Sequence, residues 1–293
     1  MRFIKYQVVI FMILAWANLF YGTIASSHVP SAKERVFASL PDKTFSSTDV
    51  LGESTNDTPP TPTPTDIILT STPSPTPSPT TQPLNKKKYS IAVYGDSMVD
   101  TMGERLEYLE HALTKKYPNV EFALYNFGMG SQHVETGLSR ISDKFDYQDR
   151  HYAPLPEVKP DIIIVGSFAY NPFSPHERDR HWLGLTHLVQ TMQKITPHIY
   201  MLAEIAPLSS DFGKGPNGVN WETSTSVEHA KKIVELLENT VGLSRTLNVP
   251  LINVYTESQG KKEYVNPSDG IHPSVAGHEF TAEQIVKTMR LDE

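Results

Sequence analysis

The chain has 293 residues, a formal net charge of -7, 39% hydrophobic residues and no cysteine. The absence of cysteine excludes disulfides and thiolate metal sites, and the negative charge argues against nucleic acid as a partner. Nine of its 23 prolines lie in the stretch from Pro59 to Pro83, and this concentration indicates a folded part joined to an unfolded part.

Residues 1–25 have the layout of an export signal. Two positive charges lie within the first five residues, and the stretch from Val8 to Phe20 is almost wholly apolar. The small residues Thr23-Ile24-Ala25 fit a cleavage site, whereas the apolar stretch, read to Ala25, approaches the ~20 residues that span a bilayer. We therefore expect a signal peptide or a membrane anchor, with the rest of the chain outside the membrane.

Residues 26–87 show no sustained apolar periodicity, and the stretch from Thr58 to Pro83 consists almost entirely of Thr, Pro and Ser. Such a segment cannot bury enough apolar surface to offset the entropy lost on ordering. We expect a disordered, extended linker that separates the membrane from a folded domain over residues 88–293.

Strand patterns alternate with helix patterns in the folded domain. The predicted strands are Tyr89–Tyr94, Phe122–Tyr125, Ile162–Val165, Ile199–Ala203 and Leu251–Val254, and the predicted helices are Glu104–Tyr117, Arg178–Ile195, Val227–Leu247 and Ser274–Met289. Five strands separated by helices predict a parallel sheet in a three-layer α/β/α domain. Ligands in such domains bind beyond the carboxyl ends of the strands, at the switch in strand order.

Two short motifs lie at opposite ends of this domain. Gly95-Asp96-Ser97 directly follows the first strand, which places Ser97 at the sheet edge, although the tripeptide alone favours an ordinary helix cap. Asp269-Gly-Ile-His272 precedes the last helix. This spacing lets the carboxylate bind one ring nitrogen of the imidazole and leave the other free as a base, although an incidental surface turn is an alternative.

Two further loops follow the second and third strands and contain Asn126-Phe-Gly128 and Gly166-Ser-Phe-Ala-Tyr-Asn171. Acyl transfer needs hydrogen-bond donors where negative charge develops, and a glycine N–H or an asparagine amide supplies them. Taken singly, Gly128 and Asn171 are equally typical of turns.

The four motifs together occur in the order of the SGNH (GDSL-like) hydrolases, and the chain resembles that family over about Lys88 to Glu293. The resemblance implies a flavodoxin-like fold and a serine esterase that needs neither metal nor cofactor. It implies Ser97 as nucleophile, His272 as base oriented by Asp269, and an oxyanion hole made of the Ser97 and Gly128 N–H groups and the Asn171 side chain. The third block departs from the family's Gly-x-Asn-Asp, because Asn171 comes five residues after Gly166.

We expect the substrate to be an acylated carbohydrate or another small ester, with acetyl groups on polysaccharide favoured by the outward-facing linker. The aromatic residues Tyr170, Phe173 and Trp221 are candidates for stacking on sugar rings, and the segment Pro207–Ser226 is expected to overhang the site. Two alternatives remain open: an O-acyltransferase that acts on cell-surface glycan, and a non-catalytic glycan-binding module.

Other catalytic motifs are missing from the sequence, including Gly-x-Ser-x-Gly, the P-loop and His-Glu-x-x-His. His176 and His181 are spaced too loosely for a metal site and are interpreted as solvated surface residues.

Overall fold

The computed structural model describes residues 86–148, 150–289 and 291. The predicted N-terminal segment 1–25 and all but the last two residues of the predicted linker 26–87 lie outside the described residues. Within the part that the structure describes, we find no helix long and apolar enough to cross a membrane.

Five parallel strands form one sheet, as predicted. They are β1 (Lys88–Gly95), β2 (Glu121–Gly128), β5 (Ile162–Gly166), β6 (Ile199–Ala203) and β7 (Leu251–Asn253), and their order across the sheet is β2-β1-β5-β6-β7. This is the flavodoxin-like order, in which the direction of strand addition switches between β1 and β5. The loops that follow β1 and β5 therefore flank the predicted ligand crevice.

Both faces of the sheet are covered. In β1, Ile91 and Val93 belong to one hydrophobic cluster, while the alternate residues Ala92 and Tyr94 belong to a second cluster on the opposite face. The same alternation runs through β5, whose five residues are all buried. The apolar run of β5 is continuous because both faces of this strand are covered. The predicted three-layer α/β/α architecture is confirmed.

The helices that complete the layers are α1 (Ser97–Asp100), α2 (Glu107–Lys116), α3 (Val134–Ser139), α4 (Leu155–Val158), α5 (Arg178–Met192), α6 (Thr223–Leu247), α7 (Val254–Ser258) and α8 (Val275–Met289), with a 3₁₀ turn at Lys262–Tyr264. Helices α2 and α8 pack together on one face, and α3 and α5 pack together on the other. Helix α6 contacts α5 and contributes residues to both clusters.

The short helices α1, α3, α4 and α7 were not predicted, and neither was a hairpin of two three-residue strands, β3 (Phe145–Tyr147) and β4 (Arg150–Tyr152). Its strands are too short to show a period in the sequence. Phe145 and Tyr152 stack with their ring centroids 4.5 Å apart, which gives the hairpin an aromatic contact of its own. The hairpin brings Tyr147 to the edge of the cleft described below.

Candidate active site

Ser97 lies at the carboxyl edge of the sheet because β1 ends at Gly95 and a short helix follows at once. Asp96 caps that helix, and its Oδ1 atom accepts the N–H of Met98 at 2.9 Å. A side chain at Gly95 would meet Val99 Cγ2 at 2.4 Å, so the turn requires glycine. Asp96 is therefore the residue that caps the helix, as the tripeptide alone would suggest, whereas Ser97 lines a cleft.

Asp269 and His272 are hydrogen-bonded to each other. Asp269 Oδ2 lies 2.9 Å from His272 Nδ1, and Asp269 Oδ1 accepts the backbone N–H groups of Ile271 at 2.8 Å and His272 at 3.0 Å. Burial opposes ionisation of Asp269, but these hydrogen bonds outweigh it and hold the pKa of the carboxyl below its usual value. An ionised Asp269 fixes the proton on Nδ1 and leaves Nε2 of the ring as a base.

Ser97 and His272 line the same cleft, which has a volume of about 670 Å³. Asp269 lies behind His272 and is not part of the lining. The lining comes from the loops at the carboxyl ends of the strands, from the hairpin and from the predicted overhanging segment: Ser97, Asp100, Thr101, Gly130, Ser131, His133, Tyr147, Tyr170, Asn171, Pro172, Phe212, Val219, Trp221, His229, Ile271 and His272.

Asn171 lines this cleft at the end of the loop that follows β5. Its Nδ2 atom donates to Asp96 Oδ2 at 2.9 Å. An asparagine amide carries two N–H bonds, so the contact with Asp96 orients the amide and leaves one N–H for a ligand.

Gly128 is not placed as predicted. It is the last residue of β2, its N–H donates to Asn126 Oδ1 at 2.8 Å, and it is absent from the cleft lining. A side chain at Gly128 would meet Asp100 N at 2.1 Å, so this glycine allows close packing against α1. The expected oxyanion donor at Gly128 is therefore a wrong prediction, because the strand extends farther than its apolar pattern indicated.

The next candidates for a donor from this second loop are the backbone N–H groups that follow Gly128. The N–H of Met129 donates to Gly95 O at 3.2 Å, and the N–H of Gly130 donates to the Tyr147 hydroxyl at 3.0 Å. The next N–H is that of Ser131, which lines the cleft and has a left-handed backbone with φ +58°. A left-handed serine at a cleft is the kind of backbone strain that clusters at functional sites, and no residue pattern around Ser131 predicts this backbone conformation.

Two of the three predicted aromatic residues line the cleft. Tyr170 and Trp221 do, and Trp221 lies against Phe212 and His229, with ring centroids 6.3 and 5.0 Å away. Phe173 does not; it is buried against His133, with ring centroids 4.7 Å apart, and belongs to the hydrophobic core. Phe173 was predicted to contact the substrate, and this prediction is wrong because its ring packs beneath the loop, in the hydrophobic core.

Some cleft residues were missed by sequence reasoning because they depend on the hairpin. Arg150 forms an ion pair with Asp100, and the Tyr147 hydroxyl donates to Asp100 Oδ2 at 3.2 Å. Arg150 and Asp100 have side chains only 11% and 12% exposed, so the pair is largely removed from water. No local motif links Asp100 to Tyr147 and Arg150, which lie 47 and 50 positions farther along the chain.

Two buried carboxyl groups, Asp96 and Glu204, lie beneath the cleft. Burial raises the pKa of Asp96 to about 6. Burial and the negative charge of Asp96 raise the pKa of Glu204 to about 8. Burial and the repulsion between the two groups therefore oppose simultaneous ionisation of Asp96 and Glu204.

His181 also differs from its prediction as a solvated residue. It is 1% exposed, and its Nε2 atom donates to Ser167 O at 2.8 Å. Burial lowers the pKa of His181 to about 4, so the ring is neutral. His176 is partly buried and pairs with Glu235, its Nε2 atom 2.9 Å from Glu235 Oε2.

Solved structures similar in fold to this chain include esterases and acylhydrolases. The chain is similar in fold to a lipase/acylhydrolase from Enterococcus faecalis, with 17% identity, a TM-score of 0.52 and coverage of 68% of this chain and 94% of that one. It is also similar in fold to a catalytic variant of an acetylxylan esterase from Geobacillus stearothermophilus, with 14% identity, a TM-score of 0.51 and coverage of 69% of this chain and 94% of that one. No curated protein matched the sequence.

A family profile carries more weight than these structural likenesses, because the identities are low enough to show the fold alone. The profile of the GDSL-like lipase/acylhydrolase family matches residues 91–285, which include the Gly-Asp-Ser turn and the Asp269–His272 pair. The chain therefore belongs to the GDSL-like lipase/acylhydrolase family and is a carboxylic ester hydrolase.

Proposed function

We propose that the protein hydrolyses carboxylic esters through an acyl-enzyme formed on Ser97. The observation that carries the proposal is the hydrogen bond from His272 Nδ1 to Asp269 Oδ2 beside a cleft that Ser97 and His272 share. A serine hydroxyl is a poor nucleophile unless a neighbouring base accepts its proton. His272 is the cleft imidazole that has a carboxylate bound to its Nδ1.

In the first half-reaction His272 Nε2 accepts the Ser97 proton while Ser97 Oγ forms a bond to the ester carbonyl carbon. The tetrahedral intermediate collapses, the bond to the leaving alkoxide breaks, and His272 returns the proton to the alcohol. In the second half-reaction a water gives its proton to His272 and attacks the acyl-enzyme, which releases the carboxylic acid and restores Ser97. Asp269 stabilises the imidazolium in both halves.

The negative charge on the carbonyl oxygen needs donors on the cleft wall. We assign this role to the backbone N–H of Ser97, the free N–H of the Asn171 amide and the backbone N–H of Ser131. The three residues come from the loops after β1, β5 and β2 and line one cleft.

The substrate class follows from the cleft wall. Trp221 is a half-buried aromatic residue of the cleft, and the core residues Phe212 and Tyr170 pack beneath it. The hairpin residue Tyr147 and the helix residue Asp100 add polar groups to the same cleft. Aromatic faces bind the apolar C–H faces of sugar rings, and polar side chains bind their hydroxyl groups. We therefore propose O-acetylated polysaccharide as the substrate, and the structurally similar acetylxylan esterase is a protein of this fold that is named for such a substrate.

Acetate release tests this function directly. The protein is expected to release free acetate from acetylated xylan with no added acceptor, and Ser97→Ala is the matched inactive control. Acetate that appears only as a new ester on an added sugar would favour the O-acyltransferase alternative. No release and no transfer, from acetylated xylan or from p-nitrophenyl acetate, would favour the glycan-binding module.

The domain is proposed to act outside the membrane, on the strength of the charged and apolar N-terminal pattern and the Thr/Pro/Ser-rich stretch that follows it. In producing cells, protease added to intact cells is expected to degrade the domain together with a known surface protein. Survival of the domain while the surface protein is degraded would contradict this location.

A further inference from the structure

The loop that presents Asn171 is held from below by a buried acid. Glu204 directly follows β6 and is 4% exposed. Its Oε1 atom accepts the backbone N–H of Ser167 at 2.8 Å, and its Oε2 atom is hydrogen-bonded to the Ser167 hydroxyl. A side chain at Gly166 would lie 2.7 Å from Glu204 Oε1, so the glycine leaves room for the acid in this position.

Ser167 is the point at which the loop is fixed. Besides its contacts with Glu204, its Oγ atom accepts the N–H of Ala169 at 3.0 Å, and its carbonyl accepts from His181 at 2.8 Å. Phe168, the next residue, has a left-handed backbone with φ +57°, which a non-glycine residue adopts only when its surroundings hold it there. Every hydrogen-bonding group of Ser167 is thus engaged by buried partners.

The length of the loop explains why such an anchor is needed. Asn171 lies five residues after Gly166, and each unfixed residue adds backbone freedom that would blur the position of its amide. Burying a carboxyl group is costly unless it is hydrogen-bonded, and Glu204 bonds to the base of this loop. Tyr170, in the same loop, also donates its hydroxyl to Ile205 O at 2.8 Å, so the residues after β6 hold the loop at two places.

We propose that Glu204 is a positioning residue for ester hydrolysis, which fixes the loop from Ser167 to Asn171 so that the Asn171 amide is held at the oxyanion position. The proposal rests on the proposed role of Asn171 as an oxyanion donor. Glu204 does not line the cleft, so it acts through the loop and not on the substrate.

The chemistry of Glu204 selects the variants that test it. Burial and the negative charge of Asp96 raise the pKa of Glu204, and glutamine is the neutral isostere that can keep both contacts with Ser167. In Glu204→Gln the amide oxygen accepts from the Ser167 N–H and the amide nitrogen donates to the Ser167 hydroxyl, so the anchor is retained. Glu204→Ala removes both contacts.

The experiment measures kcat and KM for p-nitrophenyl acetate in the full chain. Glu204→Ala is expected to lower kcat roughly 10- to 100-fold, the cost of a misplaced group, with KM changed less than about threefold. Glu204→Gln is expected to retain kcat within about threefold. The control is Asn239→Ala, which removes a similarly buried polar side chain whose hydrogen bonds go to Arg178, between α5 and α6, rather than to the loop.

A double-mutant cycle then asks whether Glu204 acts through Asn171. Asn171→Ala alone is expected to lower kcat by roughly 10²-fold, and adding Glu204→Ala to it is expected to cost less than about threefold more. If Glu204→Ala does not fold, Ser167→Ala, which removes one half of the anchor, replaces it in the same cycle.

Three results would overturn the positioning role: a kcat for Glu204→Ala equal to that of Asn239→Ala, a loss in Glu204→Gln as large as in Glu204→Ala, or losses that multiply in the double variant. If Asn171→Ala alone costs less than about threefold, the oxyanion assignment fails as well and this proposal falls with it. If Asn171→Ala lowers kcat by the full expected factor, but the kcat losses of Asn171→Ala and Glu204→Ala multiply in the double variant, only the Glu204 proposal is overturned.

Discussion

Replacing Ser97 or His272 with alanine is expected to lower kcat for p-nitrophenyl acetate hydrolysis by roughly 10⁴- to 10⁶-fold. Ser97→Ala removes the atom that forms the acyl-enzyme, and His272→Ala removes the base that activates it. Because the two residues act as one unit, the double variant is expected to be no more than about threefold worse than either single variant.

Suitable controls lie elsewhere in the chain. Ser139 is a serine whose hydroxyl donates to Thr136 O, and His151 is an exposed histidine whose Nδ1 atom lies 2.7 Å from Asp146 Oδ1. Neither residue lines the cleft, so Ser139→Ala and His151→Ala are expected to retain full activity. If the kcat losses of Ser97→Ala and His272→Ala multiply in the double variant, the two residues do not act as one unit.

The second large effect is expected for Asp269→Asn, with a loss in kcat of roughly 10⁴-fold. Asp269 Oδ1 accepts two backbone N–H groups, so the asparagine oxygen will occupy that position and its NH₂ group will face His272. The amide then donates to Nδ1 and forces the ring proton onto Nε2, where it blocks acceptance of the Ser97 proton. The fold stays intact because both backbone contacts survive.

Asp146→Asn provides the matched control, since it makes the same change in the exposed His151 pair and is expected to leave kcat unaltered. The measurement is kcat with thermal unfolding as a check on the fold. A loss of less than about tenfold in a folded Asp269→Asn protein would show that the tautomer of His272 is not set by Asp269.

Local sequence was enough to predict the strands of the sheet and the placement of the two terminal motifs. Ile162–Val165 reads as a strand because burial on both faces demands a continuous apolar run. Asp269 and His272 are close because they are only three positions apart, so their contact depends on a turn and not on the fold. Ser97 follows a strand directly, and its place at the sheet edge follows from that alone.

The errors arose where tertiary contacts decide the outcome. Gly128 was expected in a loop, but pairing with Gly95 extends β2 through it and moves the candidate donor to Ser131. Phe173 was expected on the surface of the cleft, but His133 packs against it. In both cases the local pattern is compatible with either arrangement, and a neighbour distant in sequence selects one.

The buried polar groups could not be predicted for a related reason. Glu204 and His181 reach Ser167 from β6 and from α5, positions 37 and 14 residues away. A charged residue after a strand is most often solvated, so the sequence gives no sign that this acid is buried. The contact exists because parallel strands β5 and β6 end side by side, with Gly166 opposite Leu202.

The most direct test of the catalytic account is covalent labelling with a fluorophosphonate probe, which reacts only with an activated serine. Mass spectrometry of the labelled wild-type protein is expected to place the phosphonate on Ser97, and Ser97→Ala is expected to remain unlabelled at the same concentration and time. Labelling that persists in a correctly folded Ser97→Ala protein, or esterase activity that survives in it, would contradict Ser97 as the nucleophile.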